Sequence, residues 1–134
     1  MGLDNYPEPD PCKVLEEAGK LKVIRDSHGD IDCAATNCPF MKIGPGKVFC
    51  CWIRGKIYNE YVYECCGESL YEDKTREELD YILKELKKYY ADLHPNYEIR
   101  ITDHSINMNL NFLIRYLETL LSIEEWDGKL VAWF

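Results

Sequence analysis

Residues 49–71 are FCCWIRGKIYNEYVYECCGESLY, and this stretch predicts the centre of the fold. It contains four of the seven cysteines. Residues 47–53 are β-branched and aromatic enough to predict a buried strand, and Gly55 then marks a turn. From Ile57 onward apolar residues recur at spacings of three and four, which predicts an amphipathic helix that Gly67 is suited to end.

Toward the N-terminus the expected structure is shorter and less regular. Residues 1–11 contain three prolines and are expected to form an extended lead-in. A short helix should follow, because Asp10 suits an N-cap, Pro11 suits a first helical position and Gly19 suits a helix end.

The next two segments are rich in turn-forming residues. Residues 21–33 alternate loosely around a turn at residues 26–30, which predicts a β-hairpin, or a strand at residues 21–25 followed by a turn. Residues 33–46 are dense in Asn, Pro and Gly, so a loop or a single helical turn is expected there.

Toward the C-terminus the clearest prediction is a long helix. Thr75 and Glu78 have the spacing of a capping box, and the apolar stripe that follows continues until Pro95 ends the helix.

A strand, a second long helix and a terminal strand should follow. Residues 97–101 alternate as a strand does, and residues 129–133 are apolar enough to lie inside a sheet. Between them, an apolar stripe predicts a helix from near Asp103 or Ser105 to about Glu125.

Together these elements predict an α+β protein. The strands near residues 21–25, 47–53, 97–101 and 129–133 would form a small mixed or antiparallel sheet, with three to four helices on one face, in a single two-layer domain. The length of 134 residues suits one such domain.

Composition narrows the classes of partner. The net charge is −8, with 16 basic against 24 acidic residues, so nucleic acid is not expected as a partner, because phosphate binding needs a basic surface. No apolar run is long enough to span a membrane, and residues 1–11 are unlike a signal peptide. We therefore expect a soluble cytoplasmic protein without a membrane partner.

The cysteines indicate either a metal site or a thiol cluster. A four-cysteine site for zinc or an iron–sulfur cluster would draw on Cys33, Cys38, Cys50, Cys51, Cys65 and Cys66. Adjacent residues point in different directions, so each adjacent pair offers one good ligand. The C-x₄-C spacing is allowed for zinc, but the usual second C-x₂-C is absent.

The alternative, which we favour, is that the cysteines are buried thiols or disulfides, with Cys12, Cys50 and Cys65 as the examples. Intracellular disulfides occur in hyperthermophiles, and each typically stabilises by about 2 to 4 kcal/mol. No cofactor is expected under this interpretation, and zinc is the alternative. No catalytic residue is predicted, because His28, His94 and His104 lie in no motif that would activate a thiol.

The basic turn at residues 54–56 is a candidate anion site. The start of a helix presents backbone N–H groups and the positive end of the helix dipole, to which Arg54 and Lys56 would add charge beside Gly55. The alternative is that Arg54 pairs with one of the many acids and Gly55 only turns the chain.

Tyrosines outside the predicted stripes are candidates for an interface. Tyr63 and Tyr89 are examples, since aromatic residues are enriched in contact patches, although such residues also form the half-buried edge of a core. A protein partner or a homodimer is therefore expected.

Several short segments resemble a group of small uncharacterised microbial and viral proteins. The segments are MGLDNY at 1–6, RGKIY at 54–58, Val62, Gly67, SLY at 69–71 and LVAWF at 130–134. The resemblance implies a shared scaffold and no known activity. Cys65 and Cys66 depart from it, since threonine is usual before that glycine, and this weakens a metal site that depends on Cys66.

These observations predict a small structural or interaction protein, viral or thermophilic, that its cysteines stabilise. It would lie in the host cytoplasm if the source is a virus. One alternative is a zinc-binding regulatory module. A third is a protein that binds or modifies a phosphorylated small molecule at residues 54–56.

Overall fold

The computed structural model describes residues 2–43, 47–48, 51–93 and 104–134. An antiparallel sheet and several helices occupy these ranges, so the predicted α+β class is confirmed. The strands are β1 (Asp4–Glu8), β2 (Lys47–Val48), β3 (Trp52–Arg54), β4 (Lys74–Thr75) and β5 (Lys129–Trp133). The helices are α1 (Pro11–Glu17), α2 (Cys33–Thr36), a 3-10 helix (Pro39–Lys42), α3 (Lys56–Cys66), α4 (Arg76–Leu93) and α5 (His104–Leu121). Of the helices in the described ranges, none combines the length and the apolar character needed to cross a membrane.

The sheet has the strand order β2-β3-β1-β5-β4, which places β1 at its centre. The sequence predicted only an extended lead-in there. β1 pairs with β3 through Asp4 and Asn5 and with β5 along its whole length. Its sequence, DNYPE, is poor in strand-forming residues, so the strand depends on its two neighbours. Pro7 lies beyond the last residue pair with β3, where the ladder on that side has ended.

α3 begins and ends at the glycines that the sequence indicated. Gly55 precedes it with a φ of 149°, and Gly67 follows it in the left-handed conformation with a φ of 73°. A side chain at Gly55 would be strained at this φ, and its Cβ would lie 3.2 Å from the ring of Tyr58. Three residues of the predicted apolar stripe of α3, Tyr58, Tyr61 and Val62, are buried.

The predicted capping box at the start of α4 is confirmed. Glu78 N donates to Thr75 Oγ1 (3.2 Å), and Thr75 N donates to Glu78 Oε1 (3.1 Å). The next residue, Arg76, donates from its guanidinium to the carbonyl oxygens of Leu121 (2.5 Å) and Ile123 (2.9 Å). Because the last carbonyls of a helix have no partner within it, these bonds both cap α5 and join it to α4.

The strand predicted at residues 21–25 is wrong, although the turn that follows it forms. Arg25 pairs in an isolated bridge with Ile31. Asp26 N donates to Asp30 O (2.8 Å) and closes the turn. Leu21 and Ile31 pack against the core, but residues 24–30 are exposed, so little of the segment has a packed face on which further pairing could be stabilised.

The remaining boundaries agree in part with prediction. Residues 47–53 contribute two short strands, β2 and β3, which pair with each other. Residues 33–46 were expected to form a loop or a single helical turn, but two short helices, α2 and the 3-10 helix, lie within residues 33–43. β5 has the predicted bounds. α5 ends at Leu121 instead of near residue 125. The strand predicted at residues 97–101 lies outside the described residues.

The inner face of the sheet packs into one core with α3, α4 and α5. On this face Asn5 pairs with Ile53 across the sheet, and both are buried. Asn5 Nδ2 donates to Leu70 O (2.9 Å), and Leu70 N donates to Asn59 Oδ1 (2.6 Å). These two hydrogen bonds join the central strand to the helix that the basic turn begins.

Candidate functional site

The opposite face of the sheet, which we call the outer face, points away from this core. Strand alternation and register place on it Asp4, Tyr6 and Glu8 of β1, Trp52 and Arg54 of β3, and Lys129, Val131 and Trp133 of β5. The residues between these positions face the helices. One short sheet thus separates the core from a surface with a different composition.

Aromatic rings run across the outer face. The rings of Tyr6 and Trp52 are stacked, with centroids 4.4 Å apart and planes at 16°. Trp133 meets Trp52 edge to face, with a centroid distance of 6.3 Å and an interplanar angle of 86°. Trp133 is 61% exposed and the neighbouring Phe134 is 60% exposed. The result is an aromatic surface that spans three strands and is in contact with water.

An ion pair lies at one end of this surface. Arg54 Nε donates to Asp4 Oδ1 (2.7 Å) and Arg54 Nη2 donates to Asp4 Oδ2 (3.1 Å), so the guanidinium binds the carboxylate in the bidentate manner. The Asp4 side chain is only 9% exposed, because it lies between Arg54 and Trp133 across the sheet. The hydrogen bonds from Arg54 lower the pKa of Asp4 against the opposing effect of burial.

The charges of the outer face sum to zero on β1, β3 and β5. Asp4 lies opposite Arg54, and Glu8 lies opposite Lys129, so each end of β1 has one acid and one base. The whole chain has a net charge of −8. On these three strands the outer face is therefore neutral and aromatic, and on the β4 side it borders a cleft whose lining contains four acids and two bases: Glu8, Asp73, Glu77, Asp127, Arg76 and Lys129.

An open cleft of about 400 Å³ borders the ion pair. It is lined by Gly2, Asp4, Arg54, Trp133 and Phe134. The cleft joins the charged end of the outer face to its most exposed aromatic residues. A side chain from a contacting molecule could enter it.

The predicted anion site at residues 54–56 already has internal partners for two of its donors. The Arg54 guanidinium is bonded to Asp4, and Gly55 N donates to Leu3 O (3.0 Å). Lys56 is exposed at the first position of α3. Arg54 thus makes the acid pairing that was the alternative interpretation, and anion binding at this turn stays a prediction.

The predicted cysteine cluster is distributed over several elements. Cys38 is buried against Cys12, with the two Sγ atoms 3.1 Å apart. Cys33 is half-buried, and its Sγ lies 3.9 Å from Ile31 O. Cys51 is buried, and its carbonyl oxygen accepts a hydrogen bond from the hydroxyl of Tyr116.

Cys65 and Cys66 lie at the end of α3 in surroundings that disfavour the thiolate. Burial, with smaller contributions from the negative charges of Cys66, Glu64 and Glu85, raises the pKa of the Cys65 thiol to about 12. Burial also raises the pKa of Cys66, whose Sγ donates to Val62 O (3.2 Å). Because the thiolate is the nucleophilic form of cysteine, neither sulfur is activated as a nucleophile.

Across the described ranges, no three side chains of His, Cys, Asp or Glu are grouped as metal ligands. The described cysteines therefore do not assemble the predicted ligand set between them. Cys50 lies outside the described residues, and a zinc site that includes it stays a prediction.

The sequence did not indicate the roles of Asp4 and Tyr6, which belong to the segment interpreted as a lead-in. It named Cys12 as a buried thiol or disulfide, but it did not indicate that Cys12 meets Cys38. No local pattern identifies them, since each acquires its role from a residue far away in sequence. Of the predicted interface tyrosines, Tyr63 is 67% exposed whereas Tyr89 is half-buried.

Comparisons with protein-family models, with curated proteins and with solved structures find no match.

Proposed function

We propose that the chain is an interaction protein whose outer face binds a second copy of the chain. The observation that carries this proposal is the aromatic surface formed by Tyr6, Trp52 and Trp133, the last of which is 61% exposed. Contiguous exposed apolar patches on soluble proteins are typical of contact sites, and Tyr and Trp are enriched in them.

Charge favours a second copy as the occupant. Most surfaces of a chain with a net charge of −8 repel the same surface of another copy. The outer face has no net charge on β1, β3 and β5, so two such faces can approach without that repulsion. Because Asp4 is balanced by Arg54 and Glu8 by Lys129, the two sheets can meet in either orientation about a two-fold axis.

The size of the face sets the expected strength of the contact. β1 and β5 have five residues each, β3 has three, and β2 and β4 have two. With strands about 4.8 Å apart and a rise of about 3.4 Å per residue, the face is on the order of 300 Å². Stable interfaces bury about 800 Å² on each partner, so we expect a reversible dimer with a dissociation constant on the order of 10 µM.

Sedimentation equilibrium tests the dimer directly. From about 1 µM to about 200 µM, a range that brackets the expected dissociation constant, the average mass should rise from 15.7 kDa toward twice that value. Trp133→Glu should stay monomeric, because it places a carboxylate in the contact. Tyr63→Glu is the matched control and should still dimerise, because Tyr63 is equally exposed but lies on α3.

A second variant keeps the test valid if Trp133→Glu does not fold. Lys129 is exposed, and Lys129→Glu changes the charge of the outer face from zero to −2 without removing a core contact. Its dimer should be weaker at low ionic strength and partly restored by salt, which screens repulsion between exposed charges. A wild-type chain that stays monomeric over the whole range overturns the proposal, as does a dimer that only Tyr63→Glu disrupts.

The two other predicted functions have less support. A phosphate at residues 54–56 would compete with Asp4 for Arg54. A regulatory zinc site would need Cys50 in addition to ligands drawn from the described cysteines, among which no three are grouped.

A further inference from the structure

Two thiols from distant parts of the sequence meet inside the protein. Cys12 and Cys38 are 26 positions apart, each is 1% exposed, and their Sγ atoms are 3.1 Å apart. This is closer than the separation of about 3.5 to 4.0 Å that is optimal for a contact between carbon atoms. The two side chains therefore point directly at each other.

Local backbone structure holds both cysteines in place. Cys12 N donates to the Asp10 carboxylate (2.9 Å), which is the N-cap of α1. Cys38 N donates to Cys33 O (3.3 Å), and Cys38 O accepts from Met41 N (3.0 Å). The contact between the sulfurs thus joins the start of α1 to the residue that precedes the 3-10 helix, and the two sulfurs have to close from 3.1 Å to about 2.05 Å to form a bond.

The chain between the two cysteines is attached to the core near both of its ends. Leu15, Leu21 and Ile31 pack against the core, and the buried Thr36 accepts a hydrogen bond at Oγ1 from Ile24 N (2.9 Å). Residues 24–30, between these attachments, are exposed. Cys12 and Cys38 lie at the two ends of this segment, so a bond between their sulfurs would close it into a loop.

We propose that Cys12 and Cys38 form a disulfide when the protein meets a low-molecular-weight disulfide such as oxidised glutathione. A thiolate of the pair attacks one sulfur of the small disulfide, which releases one small thiol and leaves a mixed disulfide. The second cysteine then attacks the protein sulfur of this mixed disulfide and releases the second small thiol. Cys12 and Cys38 lose two electrons and two protons in total, and the small disulfide gains them.

Burial determines when this exchange takes place. Cys12 and Cys38 are each 1% exposed. The oxidant therefore reaches their sulfurs when the chain between them unfolds locally, or before folding is complete. Once formed, the bond closes a loop between positions 26 apart, which restricts the unfolded chain. The oxidised protein should therefore unfold at a Tm roughly 10 °C higher than the reduced protein.

Peptide mapping under non-reducing conditions tests the pairing. Reduced protein is equilibrated with oxidised glutathione, alkylated and digested with trypsin. The expected product links residues 1–13 to residues 26–42, and it disappears after reduction with dithiothreitol. Cys33 lies in the same tryptic peptide as Cys38, so Cys33→Ser is the matched control that should keep the link, whereas Cys38→Ser should lose it.

Thermal unfolding gives a second readout, which does not depend on peptide mapping. The roughly 10 °C rise in Tm should appear in the oxidised wild-type chain and in Cys65→Ser, and should be absent from Cys12→Ser. Seven alkylated cysteines after exposure to oxidised glutathione would overturn the proposal. A link from Cys38 to a cysteine other than Cys12 would overturn it as well, even if the Cys12→Ser and Cys38→Ser variants fail to fold.

Discussion

The two faces of the same sheet differ in what surrounds them. On the inner face Leu130 is 0% exposed and Ile53 is 1% exposed, whereas Trp133 on the outer face is 61% exposed. These residues lie on strands of three to five residues, so neighbouring positions alternate between core and surface. Hydrophobic stabilisation grows with the apolar area removed from water, so the inner face accounts for stability and the outer face remains available for contact.

The largest effect should come from Leu130→Ala on the inner face. Removing a fully buried leucine side chain leaves a cavity, and the free energy of unfolding should fall by about 2 to 5 kcal/mol. Urea unfolding at equilibrium measures it. Val131→Ala, one residue along β5 on the outer face, should change the same quantity by about 1 kcal/mol or less. Equal losses in the two variants would contradict the distinction between the faces.

A smaller effect is expected at Asn5, the buried amide of the inner face. Asn5→Asp replaces the donor to Leu70 O with a carboxylate oxygen, so two acceptors face each other and the free energy of unfolding should fall by about 1 to 3 kcal/mol. Asn59→Asp is the matched control. It keeps the oxygen that accepts from Leu70 N, so it should be nearly neutral in the same urea titration.

The smallest effect should come from the ion pair of the outer face, and it should depend on pH. The hydrogen bonds from Arg54 lower the folded-state pKa of Asp4 below its ordinary value of 3.8. The ion pair therefore contributes its full stabilisation above pH 3.8, and this stabilisation is lost as the pH falls through the folded-state pKa of Asp4. Arg54→Ala removes it, so the variant should be less stable than the wild type at pH 7.

Denaturant midpoints measured from pH 7 downward test this prediction. The midpoints of Arg54→Ala and of the wild type should converge below the folded-state pKa of Asp4, where the carboxyl is protonated in both proteins. Arg25→Ala breaks a similar bidentate pair with Glu16, whose carboxylate is more exposed, and should have a smaller effect at pH 7. A difference between Arg54→Ala and the wild type that stays constant at all pH values would show that the ion pair is not its source.

Sequence predicted the elements whose signals are local. Gly55 and Gly67 bound α3, and Thr75 and Glu78 cap α4, as expected. Each of these signals depends on residues within a few positions of one another, where the backbone leaves donors or acceptors without partners. Such chemistry operates whatever the rest of the chain does.

Sequence failed where a role depends on distant partners. Its prediction of a strand at residues 21–25 followed alternation alone, and among the described residues the only strand-type pairing of this segment is the isolated bridge at Arg25. For residues 4–8, DNYPE, the prediction failed in the opposite direction. Their composition is poor for a strand, but they form one because they pair with β3 and β5. Cys38 was a candidate, but its partner lies 26 positions away in a different helix.

The sequence alone determined the α+β class, the ends of α3, the capping box of α4 and the terminal strand. Tertiary structure decided that the N-terminal segment is the central strand and that Asp4 forms an ion pair with Arg54. It also decided that the aromatic residues share one face and that the sulfurs of Cys12 and Cys38 are in contact. The physical reason is the distance along the chain. Caps and helical stripes draw on neighbours that are always present, whereas sheet order, ring stacking and thiol contact exist only after remote segments have packed together.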